Sequence, residues 1–286
     1  MFIDGYAYSV ESTKSTSSLP GFLVGTEAML RKFKLTDTLS QGKVGLIIAA
    51  GNVTWFNTST TDETFRSVPL LTSEIIGARW ANMLGANDWV SVDGSACASM
   101  AVALKQAKWL LSTELDTMYI VNVDNAEGVS LNQLFDELGV FTSTPEFFLK
   151  YACSVVKLTK ECHNTSVAEI SDINVSRYVS KNVLGVTKEG YMQVISPVKK
   201  RYFDYIKPHG TNTQENEIAE QEAINSFGFT DVPQLRYKAD IGHALGSATG
   251  LELCLTLGTQ SGTGLHLSAG MGNMYGSFVT THIHIG

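Results

Sequence analysis

The stretch "VDGSACASMAVALKQAKWLLSTELDTMYIVNVDN", residues 92–125, decides how the fold is read. It opens as a strand and tightens into Gly94, Ser95, Ala96 and Cys97. An Ala- and Leu-rich run at helical spacing follows, and "TMYIVNV" closes it as a buried strand. Strand, turn, helix and strand in that order imply parallel pairing with helices on the faces of the sheet. Cys97 stands where strand gives way to helix. Unpaired amides at a helix start favour an anion, which lowers a thiol's pKa and makes it more nucleophilic. Free cysteine is also among the most buried residue types, so taken by itself Cys97 reads more readily as packing.

Upstream, "KVGLIIAAG" is a short buried strand and "TSEIIGARWANMLGA" a helix, with Thr72 or Ser73 placed to cap it. "GTEAMLRKFKL" has helical spacing of Ala28, Met29, Leu30, Phe33 and Leu35 within a first stretch that otherwise carries little pattern. "NTSTTDETFRS" is polar and reads as a surface loop. Downstream, from about residue 146, the pattern restarts. "CSVVKLTK" is a strand, and "YFDYIKPHG" a strand that ends at Pro208. "NEIAEQEAINSF" is an amphipathic helix, and "IGHALGSATGLELCLTLGT" joins a glycine turn to a second Ala/Leu-rich helix. "LHLSAGMGNMYGSFVTTHIHI" is two strands about a glycine-rich bend. The expectation is one duplicated α/β domain over 1–286, with halves at about 1–145 and 146–286.

With 286 residues, 44% of them hydrophobic and 17% charged, the chain has the composition of an ordinary globular protein. Its net charge of −7 speaks against a duplex nucleic-acid binder. No apolar run approaches the roughly 20 residues of a membrane span, and "MFIDGYAYSVESTKS" lacks the features of a signal peptide. Cys97, Cys153, Cys162 and Cys254 are far apart without paired spacing, which suits neither zinc nor a disulfide framework. A reducing, cytoplasmic setting is expected.

His209 in "KPHGTNT" and His243 in "KADIGHALGSATG" each occupy a corner between strand or loop and helix. Strand ends in such sheets converge on one crevice, where both rings can meet Cys97.

These motifs resemble the β-ketoacyl-acyl-carrier-protein synthases, condensing enzymes of the thiolase fold. "GSACAS" is similar to the family's nucleophile motif, and "PHGTNTQENEIAEQEA", with Glu217 and Glu220, to its HGT motif. "KADIGHALGSATGLE" is similar to its lysine-to-histidine motif, with Lys238 five residues before His243 and Glu252 nine after. "LSAGMGNMYGS" resembles its glycine-rich gating loop. The resemblance implies duplicated βαβαβαββ halves in a layered α-β-α-β-α sandwich. It implies an acyltransferase of the 3-oxoacyl-carrier-protein synthase type, which performs decarboxylative Claisen condensation. Cys97 would hold the acyl group, and His209 and His243 would donate to the enolate oxyanion. Lys238, paired with Glu252, would set the local field and hold His243 in orientation. The backbone amides of Cys97 and Met271 would form an oxyanion hole for acyl transfer. Thr211 and Thr213 would bind pantetheine, and Gly270, Met271 and Gly272 would form the gate. The expected partners are acyl and malonyl thioesters and an acyl carrier protein, whose own 4′-phosphopantetheine is the only prosthetic group implied. No metal is expected. A homodimer through Trp89–Gly94, or a heterodimer with another synthase subunit, is expected too. Fatty-acid and polyketide roles both stay open.

Plainer uses exist for several of these residues. Lys238 and Glu252 suit an ordinary ion pair, Thr211 and Thr213 turn or cap positions, and Met271 core packing. His282 and His284 share one face of a terminal strand, and His163 and His266 have no motif around them. "VKKR" (198–201) reads first as a solvated cluster, and second as a dock for an acidic carrier protein. The chain is shorter than the family's usual members before Cys97 and between Asp124 and Lys199. Ala269 and Met271 stand where the gate carries phenylalanines, and Asn273 where it carries glycine. Its glycine-rich loop also lacks the cysteine that a thiolase would need there. Two alternatives remain: a non-elongating partner subunit of the chain-length-factor kind, or an acyltransferase or hydrolase that uses the same thiolate.

Overall fold

Alternation along the central strands sorts their side chains into two cores. In β2 (Val44–Ala49), Leu46 and Ile48 join one cluster while Ile47 and Ala49 join another. The same division separates Tyr119 and Val121 from Met118 and Ile120 in β4 (Thr117–Asp124). Strands buried on both faces need helices on both faces. The computed structural model describes residues 1–11, 21–37, 42–51, 73–124, 133, 135–137, 147–180 and 185–283. The loop expected at 57–67, the Thr72 cap and His284 lie outside them.

Five layers result. Helices α1 (Gly21–Thr36) and α2 (Ser73–Leu84) cover one outer face, where Phe22, Leu30, Ile76 and Trp80 meet Tyr119 and Val121. The middle layer holds α3 (Ser99–Thr113) and α7 (Ala248–Thr259), the latter preceded by the single-turn α6 (Lys238–Ile241). Met100, Ala103, Leu104, Ala107, Leu110 and Leu111 on α3 are buried at helical spacing, between strands of both halves. On the far face lie α4 (Lys188–Ile195) and α5 (Gln214–Ser226), with Tyr191, Val194, Ala223 and Ile224 in the third core. Among the described residues, no helix is long and apolar enough to cross a membrane.

The strands are β1 (Phe2–Ser9), β2, β3 (Trp89–Asp93), β4, β5 (Ala152–Thr159), β6 (Ala168–Arg177), β7 (Tyr205–Lys207), β8 (Thr263–Gly270) and β9 (Met274–His282). Their order is β3-β2-β4-β5-β1-β6-β9-β8-β7. The first five strands pair β2 with β3 and β4 in parallel, then add β5 and β1 antiparallel. The second group repeats this with β7 parallel to β8, followed by β9 and β6 antiparallel. A bridge from Gln234 to Ile206 stands where the first group has β3. Among the described strands, the two groups join in the sheet where Phe2 and Ile3 pair with Glu169 and Ala168. Because β5 pairs with β4 and β1, the strand groups change over at 160–167, later than the 145 expected from pattern.

Candidate active site

The nucleophile turn is built by one unusual backbone angle. Ala96 has φ 49, a left-handed conformation that non-glycine residues adopt at a cost. It reverses the chain after β3, so that a 3₁₀ turn (Ala96–Ala98) runs directly into α3. Cys97 thus lies at the start of a helix that crosses the middle of the molecule. The same turn recurs in the second half. Leu245 also has φ 49, a 3₁₀ turn spans Leu245–Ser247, and α7 follows. Gly246 takes the position that Cys97 holds in the first copy. It must be glycine, because a Cβ there would fall 2.0 Å from the Gly51 nitrogen.

The two turns put Cys97 and His243 face to face. Cys97 Sγ lies 3.9 Å from His243 Nε2. The Leu245 N–H donates to His243 Nδ1 at 3.0 Å, so a neutral ring carries its proton on Nε2, toward the sulfur. The His209 ring stands beside it, with centroids 5.7 Å apart and planes at 76°. Both rings are almost fully buried. Glu220 fixes the His209 backbone by accepting its N–H at 2.5 Å and the Gly210 N–H at 2.9 Å. Among the described residues, the buried Nδ1 of His209 has no hydrogen-bond partner. The hairpin tip between β8 and β9 closes the other side. A Cβ on Gly270 would lie 3.1 Å from the Cys97 nitrogen, so the tip approaches the nucleophile turn through a glycine.

Beneath the histidines is a buried charge cluster. Glu252 on α7 accepts from Lys238 Nζ at 2.6 Å and also pairs with Lys207. Lys238 donates to the His209 carbonyl, and Lys207 to the Leu267 carbonyl at 3.1 Å. Lys207 was missed from sequence, where a lysine in a short strand reads as solvent-facing.

Burial pushes the Cys97 thiol up to about 12, against the pull of the Lys238 ammonium and with Asp124 and Glu252 adding to the rise. Burial likewise holds both imidazoles well below the usual range, and Lys238 lowers them further. The resting site is therefore a neutral thiol beside two neutral imidazoles. The shift runs opposite to the lowering expected from the helix start, with desolvation of the sulfur as its largest cause.

The structure brings Cys97, His209, His243, Lys238, Glu252 and Gly270 into one site. Lys238 reaches the backbone of His209, while His243 is oriented by its own turn. Thr211 and Thr213 bond each other through their hydroxyls at 2.9 Å, and Thr213 precedes α5 without capping it. Met271 is 44% exposed at the hairpin tip, beside Gly272 at φ 83. Asn273 adopts φ 60, and its side chain accepts from Ser180 Oγ. His163 binds Asp4 at 2.6 Å, His266 binds Thr280 at 2.9 Å and His282 meets Tyr205 at 3.1 Å, all away from Cys97. Arg201 of the basic run pairs with Asp172 at 2.7 Å. That run precedes β7 and so lies at the end of the sheet opposite His209.

Two repeats, each turning through a left-handed residue into a central helix, give the chain the fold of solved thiolase-like ketosynthases. No protein-family model matches the chain, and no curated protein does. Solved structures match it closely in shape. One belongs to the complex AntDE:AntF, described as a type II polyketide-synthase acyl-carrier protein with its ketosynthase bound to the hexaketide. The TM-score is 0.73 at 18% identity, over 92% of this chain and 85% of that one. The ketosynthase from module 6 of the bacillaene synthase of Bacillus subtilis 168 matches at TM-scores of 0.72 (a cysteine-to-serine mutant) and 0.68, with 13% identity. This chain spans 57% and 59% of those two.

Proposed function

We propose that the chain is a β-ketoacyl synthase, which condenses an acyl group held on Cys97 with a malonyl-carrier thioester. The observation that carries this reading is Cys97 Sγ at 3.9 Å from a proton-bearing His243 Nε2, with the His209 ring alongside. In the first step the thiol attacks a carrier thioester. The new S–C bond forms as the carrier's S–C bond breaks, and the thiol proton leaves on the carrier's sulfur. The Cys97 amide at the helix start and the Met271 amide at the hairpin tip face the developing oxyanion. In the second step a malonyl thioester loses carbon dioxide. Its enolate oxygen is held by the imidazole N–H groups, the enolate carbon attacks the acyl group, and Cys97 leaves to regain a proton. Neutral imidazoles suit this role, since each offers an N–H donor with no proton of its own to lose at neutral pH.

Thr211 and Thr213 contribute hydroxyls for the pantetheine arm of the substrate carrier, and Gly270, Met271 and Gly272 form the gate. A methionine at the tip makes a softer gate than a phenylalanine ring does. Pairing of two copies through β3 is supported by its place at the sheet edge, where Val90 is 42% exposed. A non-elongating partner role is disfavoured by the intact set of Cys97, His209 and His243. The test is intact mass after incubation with acyl-carrier thioesters. An acyl adduct is expected on the wild-type chain and absent from C97S; an adduct that survives C97S overturns the reading.

A further inference from the structure

Asp124, at the end of β4, accepts two backbone N–H groups on one oxygen. Gly51 donates to its Oδ2 at 3.0 Å and Gly246 at 2.8 Å. Gly51 follows β2, and the neighbouring Ala50 carbonyl accepts the Ser99 hydroxyl at 2.7 Å, two residues past Cys97. Gly246 follows Leu245, whose N–H orients His243. Asn122 repeats the clamp on the same strand. Its Nδ2 donates to Ala49 O at 2.7 Å and Gly246 O at 3.0 Å, and its Oδ1 accepts the Gly250 N–H at 3.0 Å. Asp124 and Asn122 are themselves buried. One strand of the first half therefore holds the histidine turn of the second half against the nucleophile turn.

We propose that Asp124 is a positioning residue of the site, which pins the His243 turn to the Cys97 turn and places a fixed negative charge facing the thiol. The groups around Cys97 divide by sign. Lys238 draws the sulfur toward the thiolate, Asp124 and Glu252 push it toward the thiol, and His243 and His209 face it as neutral rings. Asp124 acts through the other two residues and touches no reacting atom. Its carboxylate favours the protonated sulfur, which shields the half-buried Cys97 from stray electrophiles until a thioester enters. The inference rests on Cys97 and His243 working together as proposed above. Its test reads the thiol alone and needs neither carrier nor condensation.

D124N removes the charge and keeps an oxygen where both N–H groups point. The measurement is the rate of Cys97 alkylation by iodoacetamide from pH 7 to 10, followed by peptide mass at Cys97, since the exposed Cys162 reacts as well. Removing one like charge near a half-buried thiol shifts its ionisation by about one pH unit, and the lower basicity of the resulting thiolate takes back part of the gain. D124N is therefore expected to react about threefold to tenfold faster throughout pH 7 to 10, where both thiols remain mostly protonated. An unchanged rate, or the same acceleration in N122A, which loosens the clamp without removing a charge, overturns the proposal. The wild-type chain supplies a second readout should D124N fail to fold. Amide exchange at Gly51 and Gly246 is expected to be slow, and rapid exchange at either in the folded protein overturns the clamp.

Discussion

Three imidazoles buried in the neutral form make the fold sensitive to acid. His209, His243 and His266 are each held well below the usual range, with burial as the main cause. In the unfolded chain each titrates near the ordinary value of about 6.5. As pH falls through that value, the unfolded state takes up protons that the native state refuses, so stability is lost downward and regained upward. Between pH 7 and 5.5 each group costs about 1.2 kcal/mol, and the three together about 4 kcal/mol. Glu220 and Asp93 work the other way, since burial raises both, but their effect falls mainly nearer the carboxylate range. A loss of about 4 kcal/mol is large against a typical net stability of about 5–15 kcal/mol. The assay is urea unfolding at a series of pH values. H266Q should remove about a third of the loss without touching the Cys97 site. A denaturation midpoint that stays flat from pH 7 to 5.5, or a dependence that H266Q leaves intact, would refute the reasoning.

Alkylation of wild-type Cys97 should rise about tenfold per pH unit from pH 7 to 10 with no plateau, since its thiol lies near 12; a plateau near pH 8 would contradict this. E252Q strips the counter-charge from two buried ammonium groups, Lys207 and Lys238. It should cost about 3–5 kcal/mol in chemical denaturation, and a cost under about 1 kcal/mol would mean that solvent reaches the cluster. G246A forces a methyl group to within 2.0 Å of the Gly51 nitrogen. It should destabilise by about 3 kcal/mol or more, while G228A, where nothing lies within 4 Å, carries only the strain of its φ of 77.

The parts of this site that were legible in sequence are the parts that lie close along the chain. Lys238, His243 and Glu252 fall within one stretch, so their spacing carries the pattern. The apolar runs of β2 and β4 and the Ala/Leu run of α3 placed the central layer for the same reason. β6 escaped because its residues are mostly polar and half-buried, and a bulge between Ser171 and Asn174, with Asp172 at φ 45, breaks its period. β1 escaped because Gly5 stands at a register shift. Lys207 became part of the site only once β8 and α7 enclosed it, and nothing local to "YFDYIKPHG" signals that burial. Asp124 ends a strand that reads as core, and its two partners come from opposite halves of the chain. The upward shift at Cys97 was not legible, because the helix start is visible in sequence and the desolvation of the sulfur is not.

The most direct test of the whole account follows the carbon. Purified chain, acyl-carrier and malonyl-carrier thioesters are combined, and the carrier is analysed by intact mass. The account predicts a carrier-bound 3-oxoacyl product two carbons longer than the primer, with carbon dioxide released and both lost in C97S. Primer recovered as free acid, or moved to another acceptor with malonyl untouched, would contradict it.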